Sequence, residues 1–391
     1  MKKVVLTLVI LLIATLTIIF VQKRYNDKES FNGRYSLETV TVKDLTLEEK
    51  ISQMLIVGYI SESIDNNLAD IIIKNQPGGF IVQGVNFSTY EKTKEFIERI
   101  NSYNAIPMFM CVDQEGGSVQ RIKAMKDETL NIPSAKEVGN TNSESYAYNI
   151  GKIIGEQSRS LGLNTILAPT LDLGTGNTLD DRTYSSDPSK VTKFGEQVGK
   201  GIEDQGLIAV YKHFPGIGSA KVDTHDGLSI INKTKEEMLN QDLKPFISLI
   251  DKMDMVMIGH TSYPKITGNN IPSSISKEII NDLLRNELGY KGVVMIDAIN
   301  MKALSDNYSE EEIYKRGIEA GVDLFIMPSN STNAINIVKE LVNKDPTLED
   351  KINESVERIL NLKKKKLNNF TSYNKDKFIN QEQINIINKK K

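Results

Sequence analysis

The sequence predicts an α/β protein whose body is a single (β/α)8 barrel of the TIM type, preceded by an N-terminal membrane-anchor helix. Two observations predict the barrel. Eight short runs are almost continuously apolar and rich in β-branched residues, as strands covered on both faces must be. Amphipathic stretches separate most runs, and several of these stretches end in glycine, the usual C-terminal stop of a helix. The apolar runs cover residues 54–60, 79–85, 107–113, 164–174, 207–214, 254–260, 292–298 and 322–328.

The number of runs decides between two parallel architectures. Eight strands that alternate with helices over roughly 300 residues favour a closed barrel. An open, doubly wound sheet is the alternative, because the argument for closure depends on every one of the eight runs being a strand.

The N-terminal segment differs from the rest of the chain. Residues 4–21 contain no charged side chain. A helix of that length spans roughly 27 Å, close to the hydrocarbon thickness of a bilayer. No small-residue cleavage site follows, so we predict an uncleaved signal-anchor over residues 1–22, with a cleaved signal as the alternative. Residues 23–44 are polar and are predicted to form a tether.

The body is expected at residues 45–366, followed by an Asn- and Lys-rich tail at 367–391 that is expected to be loosely ordered. The formal net charge of -3, with both signs interspersed, gives no case for nucleic-acid binding. The lone cysteine, Cys111, excludes an internal disulfide and a cysteine-based zinc cluster. Its apolar surroundings predict a buried structural thiol.

Unusual polar residues lie where the apolar runs end. Asp297 emerges from the seventh run, and His260 ends the sixth. The active site of such a barrel lies at the C-terminal ends of its strands, so these side chains are predicted to meet in one pocket. All three histidines lie beyond strand ends, which argues for a site. The other polar residues in such positions are Asp113, Glu115, Arg121, Asp172, Lys212 and His213.

The stretch KHFPGIGSAKVDTHDGLS, residues 212–229, places Asp223 two residues before His225 on a segment rich in glycine. The residues alone leave three interpretations: a metal site, a proton-transfer site or a coincidence. The residue types here are suitable metal ligands, as in a metal-dependent hydrolase, although the His-x-His expected on the first strand of such an enzyme is missing. The candidate ligands would be His213, Asp223, His225 and His260.

Five motifs together resemble the bacterial β-N-acetylglucosaminidases of glycoside hydrolase family 3, over roughly residues 45–345. They are DQEGGSVQR, DDRTYSSDP, KHFPGIGSAKVDTHDGLS, MIGHTSYP and LGYKGVVMIDAINMKAL. The resemblance implies a (β/α)8 barrel, a retaining mechanism, and neither a metal nor another cofactor. It also implies that Asp297 is the nucleophile and that Asp223 and His225 form the acid/base dyad. The residues that it implies hold the sugar are Asp113, Arg121, Arg182, Lys212 and His213.

The resemblance further implies the substrate, which is expected to be a peptidoglycan fragment from which N-acetylglucosamine is released. The enzyme is expected to be a monomer. The apolar N-terminal segment predicts that it is anchored in the cell membrane with its catalytic domain outside, or secreted if the anchor is cleaved. The chain departs from the family pattern at Ser118, Ile217 and Ser219, which affects the loop contacts. Phosphorolysis in place of hydrolysis stays open, and so does a tethered barrel that binds wall glycans without cleaving them.

Overall fold

Eight parallel strands form the centre of the molecule, and each lies within one of the eight predicted runs. The computed structural model describes residues 35–176 and 178–389. The strands are β1 (Leu55–Val57), β2 (Gly79–Ile81), β3 (Phe109–Val112), β4 (Thr165–Ile166), β5 (Ile208–Phe214), β6 (Met255–Ile258), β7 (Val293–Ile296) and β8 (Phe325–Ile326). The predicted barrel is confirmed.

The sheet closes on itself. Each strand pairs in parallel with the next, and β1 also pairs with β8, with Leu55 opposite Phe325. The remaining seam, between β7 and β8, is closed by the Ile296 N–H, which donates to the Leu324 carbonyl at 3.0 Å. The open doubly wound sheet is therefore excluded.

Helices surround the barrel. They are α1 (Leu47–Gln53), α2 (Asn66–Asn75), α3 (Tyr90–Asn101), α4 (Ala135–Asn140), α5 (Glu144–Ser160), α6 (Pro188–Glu203), α7 (Lys235–Asn240), α8 (Lys244–Leu249), α9 (Pro264–Thr267), α10 (Glu278–Glu287, with π-helical bonding), α11 (Lys302–Ser305), α12 (Glu310–Ala320), α13 (Ser331–Lys344), α14 (Thr347–Leu367) and α15 (Gln381–Asn388). Local sequence sets their ends. Helix α6 begins with Pro188 in its first turn, and α12 ends at Gly321, whose φ of 94° suits glycine.

Helix α14 lies across the N-terminal end of the barrel. Its Arg358 binds Asp323, which precedes β8, and its Lys365 binds Asp254, which precedes β6. Its Lys363 donates to Gln53 at the end of α1, just before β1. The C-terminal ends of the strands are therefore the open end of the barrel.

The segment before α1 packs on the body, which corrects the predicted tether at 23–44 for residues 35–44. Leu37 and Val40 are buried, and the Tyr35 hydroxyl donates to Glu49 at 3.1 Å. These apolar side chains pack beside α1. The sequence gives no sign of this packing, because the residues around them are polar. The anchor predicted for residues 1–22 lies outside the described residues. Within the ranges described, no helix has the length and hydropathy to cross a membrane.

The C-terminal tail is ordered, so the prediction of a loose tail at 367–391 is wrong for residues 367–389. Phe378 is buried against Tyr90 of α3, with ring centroids 5.1 Å apart. Gln383 of α15 donates to the buried carboxylate of Glu156 on α5 at 2.9 Å. The tail buries widely spaced apolar residues against two helices distant in sequence, and Asn/Lys composition gives no sign of such contacts.

Candidate active site

A pocket lies at the C-terminal ends of the strands, and it gathers every residue for which the family resemblance implies a catalytic or sugar-binding role. Each barrel strand ends there, so residues distant in sequence meet around one space. The roles of these side chains stay predictions. The pocket is lined by Asp113, Arg121, Arg182, Lys212, His213, Asp223, His225 and Asp297, together with Val119, Thr178, Leu179, Ile217, Ala220, Val222 and Thr224.

A tight antiparallel hairpin after β3 positions the first group of side chains. Its strands are Gln114–Gly116 and Val119–Gln120. Gly116 and Gly117 turn the chain with φ values of 96° and 56°, and a Cβ on Gly117 would clash with the Asp181 carboxylate. Asp181 accepts the Ser118 N–H at 3.0 Å. The glycine pair therefore permits close contact with the loop after β4.

Two cations of the pocket lining, Lys212 and Arg182, are paired with carboxylates. The Lys212 ammonium lies 3.0 Å from Asp113 Oδ1 and 2.6 Å from Glu115 Oε1. The Arg182 guanidinium donates from Nε and Nη2 to the two oxygens of Glu115 at 3.0 and 2.8 Å. Burial raises the pKa of the Glu115 carboxyl, but Lys212 and Arg182 outweigh burial and hold it well below its usual range. Glu115 is therefore ionised and fixes both cations.

Lys212 stays charged although it is completely enclosed. Burial lowers the pKa of its ammonium, and the carboxylates of Glu115 and Asp113 more than compensate, so the pKa lies above its ordinary value. Arg121 reaches the same Asp113 from outside, at 3.8 Å, and its side chain is 45% exposed. A charged lysine fixed at depth and an arginine at the mouth offer donors for sugar hydroxyls.

His213 is oriented by a buried aspartate in the segment that follows β4. Its Nδ1 lies 2.7 Å from Asp172 Oδ2, and Asp172 also accepts the backbone N–H groups of His213 and Ile217. Arg182 Nη2 lies 3.5 Å from the other ring nitrogen, Nε2, which must accept because guanidinium only donates. The hydrogen-bond network thus makes Nδ1 the donor, to Asp172, and Nε2 the acceptor.

Asp297 follows β7 at the floor of the pocket. The Ala298 N–H donates to its Oδ1 at 2.8 Å, which leaves Oδ2 as the oxygen available to a substrate. Burial raises the pKa of the Asp297 carboxyl, but the imidazoles of His260 and His213 and the Ala298 N–H outweigh burial, so the pKa lies below its ordinary value. Asp297 is therefore an ionised carboxylate at neutral pH.

His260 holds the backbone next to Asp297 and does not line the pocket. It is completely buried, and burial lowers the pKa of its imidazole, so the ring is neutral. Its Nε2–H donates to the Ala298 carbonyl at 3.0 Å, and its Nδ1 accepts from the Ser274 hydroxyl at 2.7 Å. Its role is to fix the peptide that follows Asp297.

Asp223 and His225 form a hydrogen-bonded pair on the loop after β5. Asp223 Oδ1 accepts the backbone N–H of His225 at 2.9 Å and lies 2.8 Å from its Nδ1. Burial raises the pKa of the Asp223 carboxyl, but these bonds to His225 outweigh it and leave the pKa below its ordinary value. The ionised carboxylate keeps a proton on Nδ1, so Nε2 is the nitrogen that can exchange a proton with a substrate.

The four histidine and aspartate residues considered as metal ligands do not gather around one point. Across residues 35–176 and 178–389, no three or more His, Cys, Asp or Glu side chains are placed to hold one metal ion. His260 uses both ring nitrogens in other hydrogen bonds, and His213 is paired with Asp172.

Sequence reasoning noticed Glu115, Asp172 and His260 at strand ends, but the family resemblance implied no catalytic or sugar-binding role for them. Each supports a residue of the pocket: Glu115 fixes two cations, Asp172 orients His213, and His260 holds the backbone beside Asp297. The sequence did indicate that the two carboxylates have partners, because a carboxylate that follows a buried strand needs cations or N–H donors to be stable. The identity of those partners depends on contacts between separate loops.

Comparison with known proteins places the chain in a family. Residues 46–362 match the model of the glycosyl hydrolase family 3 N-terminal domain. The chain belongs to glycosyl hydrolase family 3. The match covers the whole barrel and α14 up to Leu362, and it agrees with the resemblance that the five sequence motifs indicated.

Relatives within family 3 bear related names. Beta-hexosaminidase LpqI of Mycobacterium tuberculosis is 30% identical over 290 residues, which are 72% of this chain and 72% of that protein. Beta-hexosaminidase A of Pseudoalteromonas piscicida is 29% identical over 333 residues, which are 76% of this chain but only 55% of that protein. A solved family 3 β-N-acetylglucosaminidase of Paenibacillus sp. superposes with a TM-score of 0.83 at 27% identity, over 88% of this chain and 68% of that one.

Proposed function

We propose that the protein is a retaining exo-β-N-acetylglucosaminidase that releases N-acetylglucosamine from peptidoglycan fragments. One observation supports this function above the others. The pocket combines an ionised carboxylate, Asp297, with a separate proton-transfer pair, Asp223 and His225, beside cations that are already fixed in place. Double displacement requires those two groups. The β-hexosaminidase names of several relatives agree with the proposal.

In the first step, Asp297 Oδ2 attacks the anomeric carbon of the terminal sugar as the glycosidic bond breaks. His225 Nε2–H protonates the leaving oxygen, so the fragment departs as a neutral alcohol. The Asp223 carboxylate accepts the hydrogen bond from Nδ1 and holds the ring in one orientation. The product of this step is a glycosyl ester on Asp297.

In the second step, a water molecule replaces the departed fragment. His225 Nε2, now unprotonated, accepts a proton from the water as its oxygen attacks the anomeric carbon. The ester bond to Asp297 breaks and the carboxylate is restored. Two inversions at one carbon give a product with the β configuration of the substrate.

The fixed polar wall supports recognition of one terminal sugar. Lys212 and Asp113 are held at depth, and Arg121 is held at the mouth, so their donors and acceptor can bind neighbouring hydroxyls without reorganisation. Cleavage from the end of a chain follows, since the pocket ends at the floor formed by Asp297 and Lys212. We place the protein at the cell membrane through residues 1–22, with the barrel outside, where wall fragments occur.

The direct test compares a chromogenic N-acetyl-β-glucosaminide with the matching β-glucoside, with and without phosphate. The proposal expects preference for the acetamido sugar and release of free β-N-acetylglucosamine, seen by proton NMR before the anomers equilibrate. Release of the α anomer would contradict retention. A sugar 1-phosphate as the product would show phosphorolysis in place of hydrolysis.

Replacement of the nucleophile supplies the first prediction. Asp297→Ala should lower kcat on an aryl N-acetylglucosaminide by a factor on the order of 10⁴ or more, because no other carboxylate can form the ester. Circular dichroism should show an intact fold. Asp306→Ala removes an exposed carboxylate on the same segment, outside the pocket, and is the matched control. Substantial activity in folded Asp297→Ala would place the nucleophile elsewhere.

A further inference from the structure

The loop that bears Asp223 and His225 is fixed at both ends. At its start, the Ile217 N–H donates to Asp172 Oδ1 at 2.7 Å, and the Tyr263 hydroxyl donates to the Gly216 carbonyl at 2.8 Å. At its end, the Ser262 N–H donates to the Ser229 carbonyl at 2.9 Å. The loop therefore leaves and rejoins the barrel at defined places.

The tip of the loop, residues 221–228, has a single hydrogen bond to the rest of the described chain. The Ala303 N–H donates to the Thr224 carbonyl at 3.2 Å. The other hydrogen bonds of the tip stay within it, such as those between Asp223 and His225. One backbone contact is thus the polar link that fixes the tip against the barrel.

That hydrogen bond joins the chain segment that bears Asp223 and His225 to the segment that follows Asp297. Thr224 lies between Asp223 and His225, and Ala303 lies in α11, shortly after Asp297 in the chain. Thr224 is buried and Ala303 has no exposed surface, whereas the side chains of Asp223 and His225 are 47% and 69% exposed. Within the pair and the residue between them, only Thr224, which makes the contact, is therefore buried.

We propose that the Thr224 carbonyl and Ala303 amide are positioning groups that hold the acid/base dyad over the nucleophile segment. The inference rests on the proposed function, since it concerns the geometry of proton transfer. Each backbone hydrogen bond of this kind shifts the population of a loop conformation by roughly 2- to 10-fold. When the tip departs, His225 can neither protonate the leaving oxygen nor activate water, while Asp297 stays in place.

The test removes the donor of the contact. Ala303→Pro deletes this N–H within the first turn of α11, where the amide has no partner inside the helix. On a natural disaccharide kcat/KM should fall by roughly 2- to 10-fold, because the leaving alcohol needs the proton of His225. On a dinitrophenyl glycoside, whose leaving group needs no proton, glycosylation should change less than about twofold.

Lys302→Pro is the matched control, because it places the same ring one residue earlier. Proline is favoured at the first helical position, and the preceding Met301 is already extended at φ -70° and ψ 141°. The Ala303 amide is retained in this variant. Both substrates should therefore be cleaved as in the unaltered protein. An equal loss in the two proline variants would show that the ring, and not the hydrogen bond, changes the activity.

Azide supplies a second measurement that damage to Asp297 would not mimic. Azide attacks the glycosyl ester without a general base, so it should accelerate dinitrophenyl glycoside turnover by Ala303→Pro and yield the β-glycosyl azide. An equal loss on both substrates without azide acceleration would overturn the inference. So would an unchanged ratio of activities on the two substrates.

His225→Ala separates failure of the inference from failure of the proposed function. If His225 is the acid/base, this variant should show the same dependence on the leaving group, with a larger loss on the disaccharide of about 100- to 10,000-fold. A leaving-group effect in His225→Ala but not in Ala303→Pro would reject only the role of the contact. Its absence from both variants would reject the dyad itself.

Discussion

Glu115 shows how the surroundings of one residue decide its chemistry. From sequence it is one of several polar residues at strand ends. Its two oxygens bind Lys212 and Arg182, and its side chain is 4% exposed. A carboxylate so strongly paired is a poor nucleophile, because attack would strip both cations of their partner. Asp297, with one oxygen unoccupied, remains the better candidate.

Lys363 is a second buried charge, at the opposite end of the barrel. Its ammonium donates to Gln53 Oε1 at 2.7 Å and lies 5.0 Å from the centre of the Phe109 ring. No carboxylate is among these partners. Burial consequently lowers the pKa of Lys363 to about 7, with little compensation.

This lowered pKa predicts a pH dependence of stability. Between about pH 7 and 10.5 the unfolded chain binds a proton at Lys363 that the folded protein lacks, so the free energy of unfolding rises with pH by up to about 1.4 kcal/mol per pH unit. Below pH 7 the cost of the buried charge is constant. Lys363→Met should abolish this contribution to the slope in urea unfolding measured from pH 6 to 10.

Lys351→Met changes an exposed lysine on the same helix and serves as the control for that experiment. Its unfolding free energy should keep the slope of the unaltered protein. If Lys363→Met also keeps that slope, Lys363 is charged in the folded protein across the whole range, and the barrel end is more polar than its contacts indicate.

At the scale of elements, the tail, residues 367–389, forms a strap along the outside of the barrel. Arg159 of α5 stacks over Tyr373 at 4.3 Å and over Phe370 at 5.3 Å, and Phe378 is buried against α3. These contacts hold the tail against α3 and α5, and they lie away from the pocket. The tail is therefore expected to support stability without a part in catalysis.

Single substitutions test that expectation. Phe378→Ala should lower the free energy of unfolding by about 3–5 kcal/mol, because it removes a fully packed aromatic ring. Phe370→Ala removes a partly exposed ring and should cost clearly less. Urea unfolding measures both variants, while kcat of the folded protein should stay unchanged. A negligible loss in each would mean that the strap detaches in solution.

The sequence predicts elements whose burial leaves a local pattern. Barrel strands are covered on both faces, so each appears as a continuous apolar run, and all eight are found. Residues at strand ends are predictable for the same reason. The strap and residues 35–44 were missed, because their few apolar side chains, such as Leu37 and Phe378, bury against distant helices. The average composition of these segments is polar, so it does not reveal that a few of their apolar side chains are buried.

At the scale of the molecule, the described chain begins at the end of the barrel opposite the pocket. Residues 41–43 line a groove with Lys50 of α1 and with Glu357 and Lys364 of α14, the helix that lies across the N-terminal ends of the strands. Tyr35, the first described residue, also lies at that end, where its hydroxyl donates to Glu49 of α1. The anchor proposed for residues 1–22 would therefore be joined to the barrel at the end opposite the pocket.

Cell fractionation tests the anchor. The full-length protein should sediment with membranes, and a variant that begins at residue 35 should be released with the same kcat/KM, because the pocket lies at the far end. Full-length protein free in the cytosol would contradict an anchor. Protein in the medium that begins near residue 25 would show a cleaved signal.

The pairing of β1 with β8 has a consequence for synthesis on the ribosome. Leu55 is among the first barrel residues to leave the ribosome. Its partner Phe325, and Lys363, which binds Gln53 just before β1, follow only near the end of translation. Until then the first strand has an unpaired edge, open to other nascent chains. Stalled or truncated chains that lack β8 should therefore be more prone to aggregate than the complete protein.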